Sequence, residues 1–310
     1  MTRAGATGVP ASRPRIASLR RAAGLALALA LLAFAAALPS GAATKKKGAK
    51  KKATPVPTSV PRPHDPDEVS FSSSDGVKLV ATWKPSRSDP SAPAVLLLHA
   101  FSRERREVAD LAGELAARGF STLALDLRGH GESVWKGGAC VGLTPSMQGS
   151  PNAFPRDVEA ACAWLRGRSP RVAVVGFSLS GDLAALATAA GWAEAGVSVS
   201  ANAEQLPLLA GTRPSSPRGL LVLASEKDPG RAASARTLDA LGRDPKSVVV
   251  YPGSAHSLVL LRTEPAAKAA TFAWLEARLG PVTPPPAPVE PAAPAVTPTP
   301  TPTPTTGGES

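Results

Sequence analysis

RVAVVGFSLSGDLAALATAA, residues 171–190, is the stretch whose reading decides the fold. Val172 to Val175 is a short apolar run rich in β-branched residues, the profile of a strand buried on both faces of a parallel sheet. Gly176-Phe177-Ser178-Leu179-Ser180-Gly181 follows, after which Leu183, Leu186 and Ala187 recur at helical spacing. The order is strand, tight turn, helix. A serine at the apex of such a turn has its hydroxyl exposed by a strained backbone, and the residues two before and two after must be small because strand and helix nearly touch. Gly176 and Ser180 meet that requirement around Ser178. Ser180 is a poorer apex, since its own flanks are Ser178 and the bulkier Asp182. The helix also points its free N–H groups and positive dipole end at the apex, which suits a developing negative charge.

The segment resembles the nucleophile elbow of the α/β-hydrolase family, G-x-S-x-G, with Ser180 standing where the second Gly usually does. The strings around it fit the same resemblance. Ala94 to Leu98 reads as a buried strand and ends in His99-Ala100-Phe101-Ser102, where α/β-hydrolases typically show His-Gly-x. The resemblance implies that the backbone N–H groups of Phe101 and Leu179 form an oxyanion hole. Ser121 to Leu125 reads as the next strand, and Asp126-Leu127-Arg128-Gly129-His130-Gly131-Glu132-Ser133 looks like the loop after the fourth strand in many single-domain esterases, lipases and peptidases of the family. That loop is read as structural, its glycines shaping a turn that Arg128 and His130 knit by hydrogen bonds. Within the family the chain resembles single-domain, capless serine hydrolases of the dienelactone-hydrolase-like and serine aminopeptidase- or lysophospholipase-like kinds.

Further elements follow in order. Val69–Ser74 and Val77–Trp83 around Asp75-Gly76 read as a hairpin, and Glu104 to Gly119 as an amphipathic helix. Val134 to Phe154 is a Gly-rich irregular loop predicted to form one wall of the substrate pocket. Arg156–Arg168 reads as a helix, Gly196–Ala201 and Gly219–Ala224 as strands, Arg231–Leu241 as a helix, Ser247–Tyr251 as the last strand and Lys268–Leu279 as the closing helix. Only Asn202 to Arg218 separates the two middle strands, too little chain for a cap domain. The expected fold is therefore an α/β-hydrolase: a mostly parallel central sheet with an N-terminal antiparallel hairpin, helices on both faces and no cap.

A serine hydroxyl is a weak nucleophile until a base takes its proton and an acid orients that base. The family order is serine, acid, histidine. His256 follows the last strand, whereas His64 lies in a linker and His99 and His130 in loops already read. The acid falls at Asp228, past the tip of the preceding strand in Glu226-Lys227-Asp228-Pro229, with Glu226 as runner-up. The reading is a serine hydrolase cleaving small-molecule carboxylic esters with Ser178, His256 and Asp228. A peptidase or lactonase of the same fold, or a non-catalytic surface-binding protein, is the alternative. No cofactor or metal is expected, because no Gly-rich phosphate loop and no Cys/His cluster spaced for zinc occurs.

The formal charge of +11 does not point to nucleic acid. Twelve of the 35 Lys and Arg fall in residues 1–64, which hold no acid, so residues 65–310 carry 23 basic against 24 acidic side chains. Residues 1–43 read as an export signal: Arg13, Arg15, Arg20 and Arg21 precede apolar Gly24–Leu38, with small residues for cleavage near Ala42 or Ala43. Export to the periplasm or exterior is expected, an uncleaved membrane anchor being the alternative. Residues 44–66 form a Lys- and Pro-rich linker whose six Lys are read as solvated, with weak association with anionic surfaces as the competing reading. Residues 67–280 form the hydrolase domain, and 281–310 a Pro/Thr-rich disordered tail. Cys140 and Cys162 are either a disulfide or two free thiols; sequence alone leaves both open.

Overall fold

The computed structural model describes residues 65–141, 153–213 and 216–286. The expected signal, most of the linker and residues 287–310 of the tail lie outside the described residues, as do 142–152 of the long loop. The chain opens with an antiparallel pair, β1 (Glu68–Ser72) and β2 (Val77–Lys84), around the Asp75-Gly76 turn. β3 (Ala94–Leu98) leads through a 3-10 turn at Arg105–Val108 into helix α1 (Ala109–Ala117) and β4 (Ser121–Leu125). The first part of the expected irregular loop instead forms two short strands, β5 (Trp135–Lys136) and β6 (Ala139–Cys140). A turn with two consecutive glycines at positive φ, Gly137 and Gly138, joins them, and β5 pairs with the edge of β2.

Helix α2 (Phe154–Arg166) then leads into β7 (Val172–Phe177), α3 (Leu179–Ala189) and β8 (Ala195–Val199). Between β8 and β9 (Arg218–Ser225) the described residues hold only a 3-10 turn at Ala203–Gln205 and a five-residue helix, α4 (Leu206–Ala210). Helix α5 (Arg231–Leu241), strand β10 (Arg243–Tyr251), and helices α6 (Leu258–Thr263) and α7 (Pro265–Leu279) complete the order. The sequence pattern did not predict α6, which starts one residue after Ser257. Gly280 ends α7 at φ 81, and the described start of the tail runs back over the fold: Val282 packs on the core and Thr283 covers Gly119.

The ten strands form one sheet in the order β10-β9-β8-β7-β3-β4-β2-β5-β6, with β1 on β2. From β4 to β10 across the sheet the pairs are parallel, and the pairs involving β1, β2, β5 and β6 are antiparallel. The strands are apolar on both faces because each face meets helices. In β3, Ala94, Leu96 and Leu98 face one core and Val95 and Leu97 the other. In β7, Val172 and Val174 join the first, and Ala173, Val175 and Phe177 the second. Helices α2, α3 and α5 cover the first face through residues such as Leu165, Leu183 and Leu238. Helices α1, α6 and α7 cover the second through Leu115, Leu261 and Leu275. The chain leaves β3 for β4 on one side and returns to β7 on the other. The crevice of such a sheet opens at the carboxyl ends of strands at this reversal.

Candidate active site

Four loops leave the carboxyl ends of β3, β7, β9 and β10, and the candidate residues stand on them. Ser178 sits between β7 and α3 at φ 55 and ψ −120, a conformation that costs a residue with a Cβ on the order of 1–3 kcal/mol. The turn is as tight as the sequence implies: a Cβ on Gly176 would lie 1.8 Å from the Ser180 carbonyl oxygen. Ser180 fits at the second small position without a positive φ. Its buried hydroxyl donates to the His99 carbonyl at 2.6 Å, which fastens the elbow to the loop after β3.

His256 Nε2 lies 3.1 Å from Ser178 Oγ, and His256 Nδ1 lies 2.7 Å from Asp228 Oδ2. A carboxylate only accepts, so in the neutral imidazole Nδ1 carries the hydrogen and Nε2 turns its lone pair to the serine hydroxyl. The Asp228 side chain is 7% exposed and that of His256 41%, so the chain of hydrogen bonds runs from a buried carboxyl group to an accessible imidazole. Backbone pairing selects Asp228 over Glu226. The Glu226 N–H donates to Tyr251 O and the Lys227 N–H to Gly253 O, continuing the β9–β10 contact, and Glu226 points into solvent.

Three serines with no distinguishing sequence signature hold the His256 loop. Ser225 Oγ donates to Ala255 O at 2.6 Å, and the Ser257 N–H donates to Ser200 Oγ at 3.0 Å. Ser257 and Ser200 both have positive φ, 60 and 51. Only the placement of Ser200 and Ser225 at strand ends, and of Ser257 beside His256, hints at them in the sequence.

The loop after β3 is pinned at nearly every group. The Ala100 N–H donates to Glu107 Oε2 at 2.9 Å, and the Ala100 carbonyl accepts from the Arg103 N–H at 3.0 Å and from His99 Nδ1 at 2.7 Å. Ala100 replaces the family's Gly without strain, because the positive φ of this loop, 64, falls at Ser102. The Ser102 N–H donates to His130 Nε2 at 3.1 Å, and the Leu127 N–H donates to His99 Nε2 at 3.1 Å. Burial pushes His99 down to about 4 and lowers His130 as well, so both rings are neutral at pH 7 and their Nε2 atoms accept. The N–H groups of Phe101 and of Leu179, the first residue of α3, have no partner among the described residues.

Of the predicted pocket wall Val134–Phe154, residues 134–141 form the β5–β6 hairpin, from which Val141 packs on the core, and Phe154 is instead a buried core residue at the start of α2. Cys140 and Cys162 are both free thiols: Cys140 is exposed on β6, Cys162 buried in α2, where burial raises its pKa to about 12. That resolves the pairing left open by the sequence.

A family model described as serine aminopeptidase, S33, matches residues 89–215. Uncharacterised proteins from two strains of Mycobacterium tuberculosis are each 33% identical over 121 residues, 38% of this chain and 39% of theirs. The matched region thus spans well under half the length of those relatives. Among solved structures, an esterase of Pyrococcus furiosus superposes with a TM-score of 0.54 at 18% identity, over 69% of this chain and 92% of that one. A dienelactone hydrolase of Anabaena variabilis gives 0.50 at 21% identity, over 70% and 100%. At such identities the likeness speaks for the fold. Sheet order, family model and structural neighbours agree on one architecture, and the chain has the α/β-hydrolase fold.

Proposed function

We propose that the protein is a serine hydrolase that cleaves carboxylic esters through an acyl-enzyme. The observation that carries the reading is the hydrogen-bonded chain from Ser178 Oγ through His256 to Asp228 on three separate strand ends. His256 Nε2 takes the hydroxyl proton as Ser178 Oγ attacks the acyl carbon, and Asp228 holds the imidazole in the required tautomer and stabilises the imidazolium. The developing oxyanion is held by the free N–H groups of Phe101 and Leu179, with the N-terminus of α3 adding its dipole. The alcohol departs with the proton from His256, and water repeats the sequence on the acyl-enzyme.

Ser178→Ala is expected to lower kcat on p-nitrophenyl acetate by roughly 10⁶-fold while the chain still folds. A fluorophosphonate is expected to label the wild type and not the variant. A variant that keeps full turnover would remove Ser178 from the chemistry. Absence of labelling in an active wild type would favour a different nucleophile, and faster cleavage of amides or lactones would shift the reading to peptidase or lactonase.

A further inference from the structure

The Asp126–Ser133 loop does more than knit itself. His99 and His130 lock two loops reciprocally, each ring accepting an N–H from the other's loop. Leu127 donates to His99 Nε2 and Ser102 to His130 Nε2, across 28 residues of sequence in both cases. The rings lie 4.9 Å apart between centroids, and the His130 ring also packs edge-on against Phe101 at 5.4 Å. His130 is itself anchored, with Nδ1 donating to Arg128 O at 3.0 Å and its own N–H donating to Leu127 O.

The consequence falls on Phe101. Its neighbours in the loop are committed on both sides, the Ala100 N–H to Glu107 and the Ser102 N–H to His130. The Ser102 bond fixes the peptide plane after Phe101, the Arg103 N–H and His99 Nδ1 hold the plane before it through the Ala100 carbonyl, and the Phe101 N–H carried by that plane has no partner among the described residues. Ser102 adopts φ 64, a conformation that needs an external restraint.

We infer that His130 is a positioning residue for ester hydrolysis: by accepting the Ser102 N–H it holds the loop after β3 so that the Phe101 N–H faces the oxyanion. The inference rests on the reading of Ser178 as nucleophile, and it assigns His130 no contact with substrate. Loss of an oxyanion donor acts on the transition state and not on the ground state, so it lowers kcat and leaves KM nearly unchanged.

Two amide substitutions test this on the full chain, since Gln places its carbonyl oxygen near the position of Nε2 and Asn near that of Nδ1. His130→Asn is expected to lower kcat on p-nitrophenyl acetate by about 10²-fold with KM within about twofold. His130→Gln is expected to restore kcat to within about tenfold of wild type. Peptide-level amide exchange over residues 99–104 is expected to quicken in His130→Asn and not in His130→Gln. A His130→Asn enzyme with wild-type kcat, or two variants impaired alike with the loss confined to KM, would overturn the inference. If the wild type shows no Ser178-dependent turnover, the esterase reading fails on its own. The exchange comparison then decides whether His130 holds the loop, and unchanged exchange in His130→Asn would refute it.

Discussion

Asp182 lies four residues past Ser178 on α3, fully buried. Its Oδ2 accepts the Asn202 N–H at 3.0 Å, while Oδ1 has no partner among the described residues. Burial pushes the carboxyl up from 3.8 to about 8, despite the opposing pull of Arg231. In the unfolded chain the group ionises near 3.8, so between these pH values the unfolded state binds fewer protons than the fold. Stability therefore falls as pH rises through that window, by up to about 1.4 kcal/mol per unit. Asn has no proton to release and can still accept from Asn202. Asp182→Asn is thus expected to be near neutral at pH 4 and increasingly stabilising up to pH 8, read from urea midpoints. An effect independent of pH would mean that the carboxylate is ionised in the fold. Asp182 was visible in the sequence only as too bulky a flank for Ser180. Its burial depends on the β8–α4 turn, which local pattern does not encode. The candidate trio was legible because each member ends a strand in a fixed order, and the three supporting serines were not, because serine is common in any loop.

At the scale of elements, the long apolar runs were legible as strands because burial on both faces leaves them little polar pattern to confuse, as in β3 with all five residues buried. Less legible were the pieces whose existence depends on partners. β5 and β6 are two residues each and exist through pairing with β2 and each other. The expected helix from Glu104 begins as a 3-10 turn, where the Arg105 N–H and guanidinium are drawn to the buried carboxylate of Asp126. The elbow is the element whose geometry the sequence stated most sharply, and it yields a sharp expectation. Gly176→Ala drives a methyl into a backbone oxygen of the following helix, which cannot rotate away. A destabilisation of about 3 kcal/mol or more is expected by chemical denaturation, with turnover lost in the protein that remains folded. A Gly176→Ala protein as stable as wild type would show that strand and helix are farther apart than described.

For the molecule as a whole, the sheet order explains why four loops far apart in sequence converge. Parallel strands all present their carboxyl ends at one edge, and the reversal between β4 and β7 opens that edge at its middle. Among the described residues, the non-glycine positions with positive φ are Ser102, Ser178, Ser200 and Ser257. Each follows a strand of this parallel set, and each belongs to or touches the loops around His256 and Phe101. The opposite edge of the sheet has no such position among the described residues other than glycine. Strain on the order of 1–3 kcal/mol apiece is thus concentrated on one rim and held there by two well-packed cores. On warming, hydrolase turnover is therefore expected to fade several degrees below the midpoint seen by circular dichroism, and coincident curves would contradict that uneven distribution. A sample of this protein vetted by its ellipticity alone would pass as sound after its working edge had already slackened, so shelf life has to be judged by rate, not by shape.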